Sequence, residues 1–341
     1  MLPREIAARR LVNQRIATAD CTRPLDVVAW LTAMQAQDYR GTLWSIGLRM
    51  RDATAAHIER AIADRSIVRT WPLRRTLHFV AAADVRWLLQ LLAPRMIATG
   101  AGRLSRLELD AATMGRSRKA LVNALQGGQC LTRPAMYEIL DRAKISTAGQ
   151  RGIHLIWRLA IDGVLCFARH EGKQPTFALL DEWIPSSRAL ERDTALAELA
   201  RRYFRSHGPA TVHDFAWWSG LTVADAKIAS EMVSAEFMRD GPYLFPSDLP
   251  PARPGLHILP GFDEFLLGYK DRSASLAPAQ AQRIVPGSNG VFLPTIVADG
   301  RVIGTWKPAS IGTPTRFRPF TARESRGYTA AATRYARFIA G

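Results

Sequence analysis

Hydrophobic positions three and four residues apart predict that most of this chain is helical. The clearest segment covers residues 117–180. SRKALVNALQ, LTRPAMYEILDRA and RGIHLIWRLAIDG have helical spacing, with Gly127 ending the first helix and Thr132 capping the second. VLCFAR and TFALLDEW then flank a polar turn and predict a β-hairpin. Three helices followed by a hairpin predict a winged helix, a unit whose third helix usually enters the major groove of DNA.

Two other segments repeat this order of elements. Residues 193–245 contain DTALAELARRYFRSHG, TVHDFAWWSGL with Thr211 as its cap, TVADAKIASEMVSA, and a strand pair turning at Asp240-Gly241. Residues 25–82 are more divergent, with helices LDVVAWLTAM and TAAHIERAIAD before a hairpin, SIVRTWPLRRTLHFV, bent at Pro72. HILPGFDEF, GVFLPTIVADG and RVIGTWK are strand-like, and GYTAAATRYARFI predicts a closing helix.

The pattern therefore predicts an α+β fold, mainly helical, built of tandem winged-helix units with a C-terminal β-rich segment. We expect three domains. Residues 1–116 form a divergent winged-helix unit, 117–190 a second unit, and 191–341 a third unit together with the β-rich segment.

Composition narrows the class of protein. A chain of 341 residues with 48% hydrophobic content can bury a substantial core. The three cysteines lie far apart and no paired Cys or His spacing accompanies them, so we expect neither disulfides nor a metal, and no cofactor. Apolar runs are short and the N-terminus is charged, which predicts a cytoplasmic protein with no membrane segment.

The charge distribution favours a polyanionic partner. The net charge is +16, from 46 basic and 30 acidic residues. Residues 1–120 carry +10, residues 121–240 carry zero and residues 241–341 carry +6. Positive charge at both ends of the chain indicates a surface for nucleic acid and predicts association with the nucleoid. The open alternative is a merely soluble basic protein.

One segment, DVVAWLTAMQAQDYRGTLWSIGLR, carries an unusual pair of glutamines. Val27, Trp30, Leu31 and Met34 form a helical core stripe before Gln35 and Gln37. Residues i and i+2 diverge by about 200° on a helix and share a side only in extended backbone. If both glutamines serve one pocket, the helix must end near Gln35, and Gly41 makes an end in this segment plausible. The alternative is an ordinary helix terminus with solvated glutamines.

Four blocks occur in order along the chain: MQAQDYRGTLWSIGLR, IVRTWPLRRTLHFV, ILPGFDEFLLGYKDRS and NGVFLPTIVADGRVIGTWK. Together they resemble the AlkZ and YcaQ family of winged-helix DNA glycosylases, over nearly the whole chain. The resemblance implies that Gln35 and Gln37 are the catalytic pair, as in the Gln-x-Gln, AlkZ-like branch; a Gln-x-Asp branch would have a carboxylate at position 37. It further implies excision of N7-alkylated purines, unhooking of interstrand crosslinks, and a shallow site that approaches DNA from outside.

The residue types suit this chemistry. An N7-alkylguanine is already cationic, so its glycosidic bond breaks without a general acid, and a glutamine can orient the attacking water. No lysine nucleophile is evident, which predicts monofunctional hydrolysis. Asp263 and Glu264 are the rival catalytic carboxylates, although such a pair more often caps a helix or pairs with an arginine.

Basic side chains near these blocks are candidate contacts to phosphate. In a strand, Arg74 and His78 would share one face with Arg75 opposite, whereas Trp71 and Trp44 are better explained as core. The candidate DNA-binding residues are Arg40, Arg69, Arg74, Arg75, His78, Lys270 and Arg272.

Two other functions remain open: a non-catalytic DNA-binding regulator, and a scaffold for repair proteins. A regulator normally needs a dimerisation helix, and none is evident, so we expect a monomer. A scaffold would show a large apolar face or a disordered tail. The expected partner is duplex DNA, preferentially alkylated or crosslinked.

Overall fold

The computed structural model describes residues 1–248 and 255–341. Its helices are α1 Pro3–Asn13, α2 Pro24–Leu31, α3 Tyr39–Gly47, α4 Ala55–Ala63, α5 Val85–Arg106, α6 Ala111–Leu125, α7 Arg133–Arg142, α8 Arg151–Ile161, α9 Leu180–Trp183, α10 Arg192–His207, α11 Val212–Ser219, α12 Val223–Met232, α13 Glu264–Leu267, α14 Ala281–Ile284 and α15 Ala322–Ala340. Its strands are β1 Ala33–Gln35, β2 Ile67–Leu73, β3 Thr76–Ala81, β4 Leu131–Thr132, β5 Leu165–Glu171, β6 Gln174–Leu179, β7 Met238–Asp240, β8 Tyr243–Phe245, β9 Leu256–Leu259, β10 Thr295–Ala298, β11 Arg301–Thr305 and β12 Thr315–Arg316. The fold is α+β and mainly helical, as predicted.

The chain divides into two compact units. Unit 1 comprises Met1–Arg60 and Leu196–Gly341, and unit 2 comprises Ala61–Ala195. This division does not coincide with the three expected domains, whose boundaries and assignment as winged helices stay a prediction. No helix in the described parts of the chain is long and apolar enough to cross a membrane.

Unit 2 is built around an antiparallel sheet. Five of its strands lie in the order β3-β2-β5-β6-β4. Three helices, α6, α7 and α8, precede the β5–β6 hairpin, in the order that the sequence predicts. Thr132 caps α7 by accepting a hydrogen bond from the Ala135 amide, also as predicted. Helix α6 begins earlier than expected, because Asp110 caps it through the Thr113 amide.

Unit 1 has two small sheets and a helical part. Strands β12-β11-β10-β9 form one antiparallel sheet, with the β10–β11 turn at Asp299 and Gly300 as predicted. Strands β7 and β8 pair after α10, α11 and α12, again in the predicted order. A capping box between Thr211 and Asp214 starts α11, because each side chain accepts a hydrogen bond from the other residue's backbone amide.

The half-buried imidazole of His257 in unit 1 has a lowered pKa. His257 lies on β9, and its Nε2 atom is shielded from solvent with no hydrogen-bond partner among the described residues. Burial, followed by the charge of Arg334, lowers the pKa of the His257 imidazole to about 4, against an opposing effect of Asp299. The folded protein therefore holds this side chain neutral at a pH where the unfolded chain would protonate it.

We expect the free energy of unfolding to fall as the pH drops from about 6.5 to about 4, because only the unfolded state then gains a proton at His257. His257→Gln should flatten part of this dependence, whereas His57→Gln, on the exposed face of α4, should leave it unchanged. Urea unfolding at stepped pH measures the slope. Identical slopes for the parent and His257→Gln would contradict the assignment.

Candidate functional site

The backbone around the two glutamines is not helical. Helix α2 ends at Leu31, and Thr32 adopts a left-handed φ of 68° that turns the chain. Ala33–Gln35 is extended, and the next helix begins only at Tyr39. The prediction that the helix ends between Gln35 and Gly41 is wrong in position, because α2 ends at Leu31 and Met34 lies outside it. The backbone of Gln35 and Gln37 is nevertheless non-helical, as the hypothesis of a shared pocket requires.

Gly41 is not the signal for a helix end that the sequence indicated, because it lies in the first turn of α3. The Asp38 carboxylate caps this helix by accepting a hydrogen bond from the Gly41 amide, at 3.1 Å. A Cβ atom at position 41 would lie 2.4 Å from Asp38 Oδ2. Glycine therefore permits the close approach of the cap and does not mark the end of a helix.

The backbone of Gln35 is held from both sides within unit 1. Its amide donates a hydrogen bond to Glu264 Oε1 at 3.1 Å, and its carbonyl accepts one from Thr42 Oγ1 at 2.9 Å. The Gln35 residue is 8% exposed, whereas Gln37 is exposed. These anchors from α3 and α13 fix the position of Gln35.

Glu264 is a buried anchor. It is 1% exposed, and its second oxygen, Oε2, accepts a hydrogen bond from Trp218 Nε1 at 3.0 Å. His207 Nε2 lies 3.5 Å from the same oxygen. Burial lowers the pKa of the His207 imidazole, against the opposing effect of Glu264. The carboxylate thus joins α10, α11 and the Gln35 segment.

Asp263 is occupied by Arg49. The Arg49 guanidinium donates to both carboxylate oxygens, at 2.8 and 2.9 Å, and the Ser45 hydroxyl donates to Oδ2 at 2.6 Å. Oδ1 also accepts a hydrogen bond from the Phe265 amide and so caps α13. Asp263 is therefore both a helix cap and the partner of an arginine. These two structural roles are the alternative to catalysis given in the sequence analysis.

Asp214 fixes the segment that carries Lys270 and Arg272. Its Oδ1 atom accepts hydrogen bonds from the backbone amides of Lys270, at 2.9 Å, and Asp271, at 3.1 Å. The Lys270 side chain is exposed. The Arg272 guanidinium lies 5.6 Å from the Trp217 ring centre, and its Nε atom donates to the Leu266 carbonyl.

Comparisons with known proteins identify the family. The family model described as DNA glycosylase AlkZ-like matches residues 28–338. The chain belongs to the AlkZ-like DNA glycosylases. It is therefore an enzyme of the DNA glycosylase class and acts on DNA, as predicted.

Two comparisons with Streptomyces sahachiroi proteins agree with this assignment. The interstrand DNA cross-link repair glycosylase of that organism is 24% identical over 327 residues, which cover 89% of this chain and 87% of that protein. The solved structure of the DNA glycosylase AlkZ from S. sahachiroi matches with a TM-score of 0.78 and 22% identity, covering 98% of this chain and 96% of that one. The second comparison confirms the fold.

The remaining candidate DNA-binding residues of this AlkZ-like chain differ in exposure. Arg40 in unit 1 is exposed. Arg74 and Arg75 form the turn between β2 and β3, with left-handed φ values of 48° and 61°, so the expectation of alternating strand faces is wrong. The hairpin turns there, while Pro72 lies within β2, where the register with β3 is irregular.

Burial separates Arg69 and His78 from the exposed candidates. Arg69 is 8% exposed, with its guanidinium 4.8 Å from the Phe167 ring centre. His78 is fully buried, and its Nδ1 atom lies 2.9 Å from the Thr76 carbonyl oxygen. Trp71 and Trp44 are buried in the core, as the sequence indicates. No cluster of possible metal ligands occurs in the described residues.

The residues that hold Gln35 and Asp263 were not predicted from the sequence. Thr42, Ser45 and Arg49 recur at intervals of three and four residues, which places them on one face of α3 and its continuation. Asp38, followed by a helical pattern, is an N-cap signal that would have located the start of α3. Asp263, the partner of Ser45 and Arg49, lies more than 200 residues away from them, as Glu264 does from Gln35, and no local pattern identifies these contacts.

Replacing Arg49 by alanine should lower the free energy of unfolding by about 3–5 kcal/mol, because it leaves the buried Asp263 carboxylate without its counter-charge. Arg51→Ala, at an exposed position two residues later, is the matched control and should change it by less than about 0.5 kcal/mol. Urea unfolding measures both. A loss for Arg49→Ala no greater than that of the control would refute a structural role for the pair.

Proposed function

We propose that this chain is a monofunctional DNA glycosylase that hydrolyses the N-glycosidic bond of alkylated purines in duplex DNA. Its substrates would be N7-alkylguanines and interstrand crosslinks. The observation that carries the proposal is the fixed, non-helical Gln35 segment, with its backbone held by Glu264 and Thr42. The name of the S. sahachiroi relative, an interstrand DNA cross-link repair glycosylase, supports the crosslink as substrate.

The reaction needs no general acid when the base is cationic. The C1′–N9 bond breaks, and the bonding electrons leave with the alkylated guanine, which departs as a neutral base. A water oxygen bonds to C1′, and the proton of that water passes to solvent. The enzyme must orient this water, and a glutamine carbonyl can accept its hydrogen bond while the amide group donates to a phosphate or sugar oxygen.

The nearby carboxylates support the assignment to Gln35 and Gln37. Asp263 and Glu264 are 4% and 1% exposed, and both accept hydrogen bonds from groups of unit 1. A carboxylate in that setting is poorly placed to receive a proton from a water at the surface. Glutamines cannot take that proton either, so this site favours substrates that carry their own positive charge.

Binding to undamaged duplex should depend strongly on salt, because each arginine or lysine that neutralises a phosphate releases counterions. The exposed candidates are Arg40, Arg75 and Lys270. Substituting each by glutamine should reduce the slope of log K against log salt concentration by about 0.9 per phosphate contact. Fluorescence anisotropy with a labelled duplex measures the slope. A duplex affinity that does not change with salt concentration would contradict a surface that contacts the DNA phosphates.

Gln35→Ala and Gln37→Ala should each lower single-turnover excision of N7-methylguanine by about 100-fold while changing duplex affinity by less than about threefold, because phosphate contacts dominate affinity. Gln126→Ala, at an exposed position beyond α6, is the control. Gln37→Asp supplies a proton acceptor and should extend excision to neutral alkylpurines.

The assay counts abasic sites in a duplex with one N7-methylguanine. If the double alanine variant excises N7-methylguanine at the rate of the parent, Gln35 and Gln37 are not catalytic. If the parent excises neither N7-methylguanine nor a crosslinked guanine, the proposed substrates are wrong.

A further inference from the structure

Unit 2 contains a cavity of about 190 Å³ at its β2–β3 turn. Helices α5 and α8 form its other walls, and the residues used below are Trp71, Arg75, Gly100, Arg103, His154 and Trp157. The volume is smaller than the roughly 300–1,000 Å³ of sites that enclose a drug-sized ligand. The cavity therefore has room for one flat ring system, and any sugar or phosphate attached to that ring would lie at its open rim, near Arg75 and Arg103.

Two indoles contribute apolar surface to the lining of the cavity. Trp71 and Trp157 are 7% and 8% exposed, so their rings are held by packing, and Trp71 contacts Phe167 at 5.0 Å between ring centres. The Trp157 Nε1 atom is buried with no hydrogen-bond partner in the described part of the chain. Aromatic side chains are the surfaces on which proteins stack unpaired nucleobases.

Two guanidinium groups supply positive charge. Arg75 Nη2 donates to Thr99 Oγ1, and Arg103 Nη2 donates to Gln150 Oε1, each at 2.7 Å. Both partners are neutral, and neither arginine forms an ion pair with any residue that the structure describes. The two charges are therefore not neutralised by carboxylates, in contrast to Arg158, which pairs with Asp162.

A polar ring completes the wall. His154 Nδ1 lies 2.9 Å from the Gln150 carbonyl oxygen, an arrangement in which Nδ1 carries the proton. Its ring centre lies 6.5 Å from that of Trp157. An aromatic wall with uncompensated guanidinium groups at its rim matches a ligand that joins a flat base to a phosphate.

We propose that this cavity binds a single unpaired nucleotide, with the base against Trp157 and the phosphate on Arg75 and Arg103. It is a second nucleotide site, formed by residues of unit 2, whereas the glutamine pair belongs to unit 1. The proposal rests on the proposed function only in that DNA is one source of the nucleotide. A free mononucleotide carries the same chemistry and is the other source.

Glycine 100 offers a direct test. A Cβ atom at Gly100 would lie 3.2 Å from the Trp157 ring and 3.4 Å from Arg75 Nη2, whereas one at Gly102, on the same helix, would meet nothing within 4 Å. Gly100→Leu therefore places a side chain against the Trp157 wall, and Gly102→Leu is the matched control. Arg103→Gln removes one charge with little change in volume and carries the test if Gly100→Leu fails to fold.

The full-length protein is titrated by calorimetry with deoxyadenosine 5′-monophosphate, deoxyadenosine and inorganic phosphate. We expect the parent and Gly102→Leu to bind the monophosphate alike, and Gly100→Leu to bind it at least tenfold more weakly. Arg103→Gln should weaken binding of the monophosphate about tenfold, because one hydrogen bond to a charged group is lost. The affinity for deoxyadenosine, which has no phosphate, should be nearly unchanged.

Duplexes that are blunt or carry one unpaired terminal nucleotide separate the two sources. If the overhang raises the affinity for the duplex and Gly100→Leu abolishes this increase, the site binds a nucleotide of a DNA strand. If the protein binds the monophosphate but the overhang does not raise duplex affinity, the site binds free nucleotides. Equal monophosphate affinity in both leucine variants, no binding by the parent, or phosphate binding as tight as the monophosphate would overturn the proposal. None of these measurements uses base excision, so they do not depend on the outcome for Gln35 and Gln37.

Discussion

Two adjacent buried carboxylates, Asp263 and Glu264, hold together the part of unit 1 that carries the glutamine pair. Asp263 accepts two hydrogen bonds from the Arg49 guanidinium, one at each carboxylate oxygen, and also caps α13. Glu264 receives the Gln35 amide and the Trp218 indole. Ionised acceptors make the shorter and stronger hydrogen bonds in proteins, and each of these oxygens has a donor that offsets the cost of burial. The position of Gln35 is a consequence of this pair.

The same burial has a chemical consequence. A carboxylate can stabilise a sugar cation or accept a proton from water only if it can reach them, and these two are enclosed by their own donors. The exposed carboxylate of the segment, Asp38, caps α3, and the side chains of Gln35 and Gln37 are amides. An amide can orient a water but cannot remove its proton, so a site of this kind depends on the charge of the leaving base. The proposed preference for cationic alkylpurines rests on this limit of the amide group.

The sequence predicted most of the fold because the helices and hairpins are locally encoded. Apolar spacing located α6, α7 and α8, and Thr211 and Thr132 are caps whose partners lie three residues away. The glutamine segment was predicted less well. The residue with positive φ that turns the chain is Thr32 and not a glycine, so the sequence does not indicate the turn. Gly41 lies at the start of α3 and not at the end of a helix.

Tertiary contacts explain the other differences. Arg69 and His78 are residue types that often contact DNA, yet both are buried in the sheet of unit 2. Arg69 on β2 lies opposite Phe167 on β5, and His78 on β3 lies opposite Thr70 on β2. Glu264 was recognised as a candidate, but its role as an anchor of Gln35 depends on a contact across 229 positions. The family resemblance is the source of the hypothesis that Gln35 and Gln37 form a catalytic pair, and the three-dimensional contacts explain the position of the Gln35 backbone.

The net charge of a segment does not show which of its positive charges can attract DNA. Residues 121–240 sum to zero, and arginines there, such as Arg201 with Glu236 and Arg158 with Asp162, are paired with carboxylates. A paired arginine contributes little to the field that attracts a polyanion, because its partner cancels it within a few ångströms. Arg75 and Arg103 instead hydrogen-bond to a hydroxyl and an amide. The electrostatic surface of this protein is therefore set by which arginines lack an acidic neighbour, and a count of basic residues along the chain does not measure that.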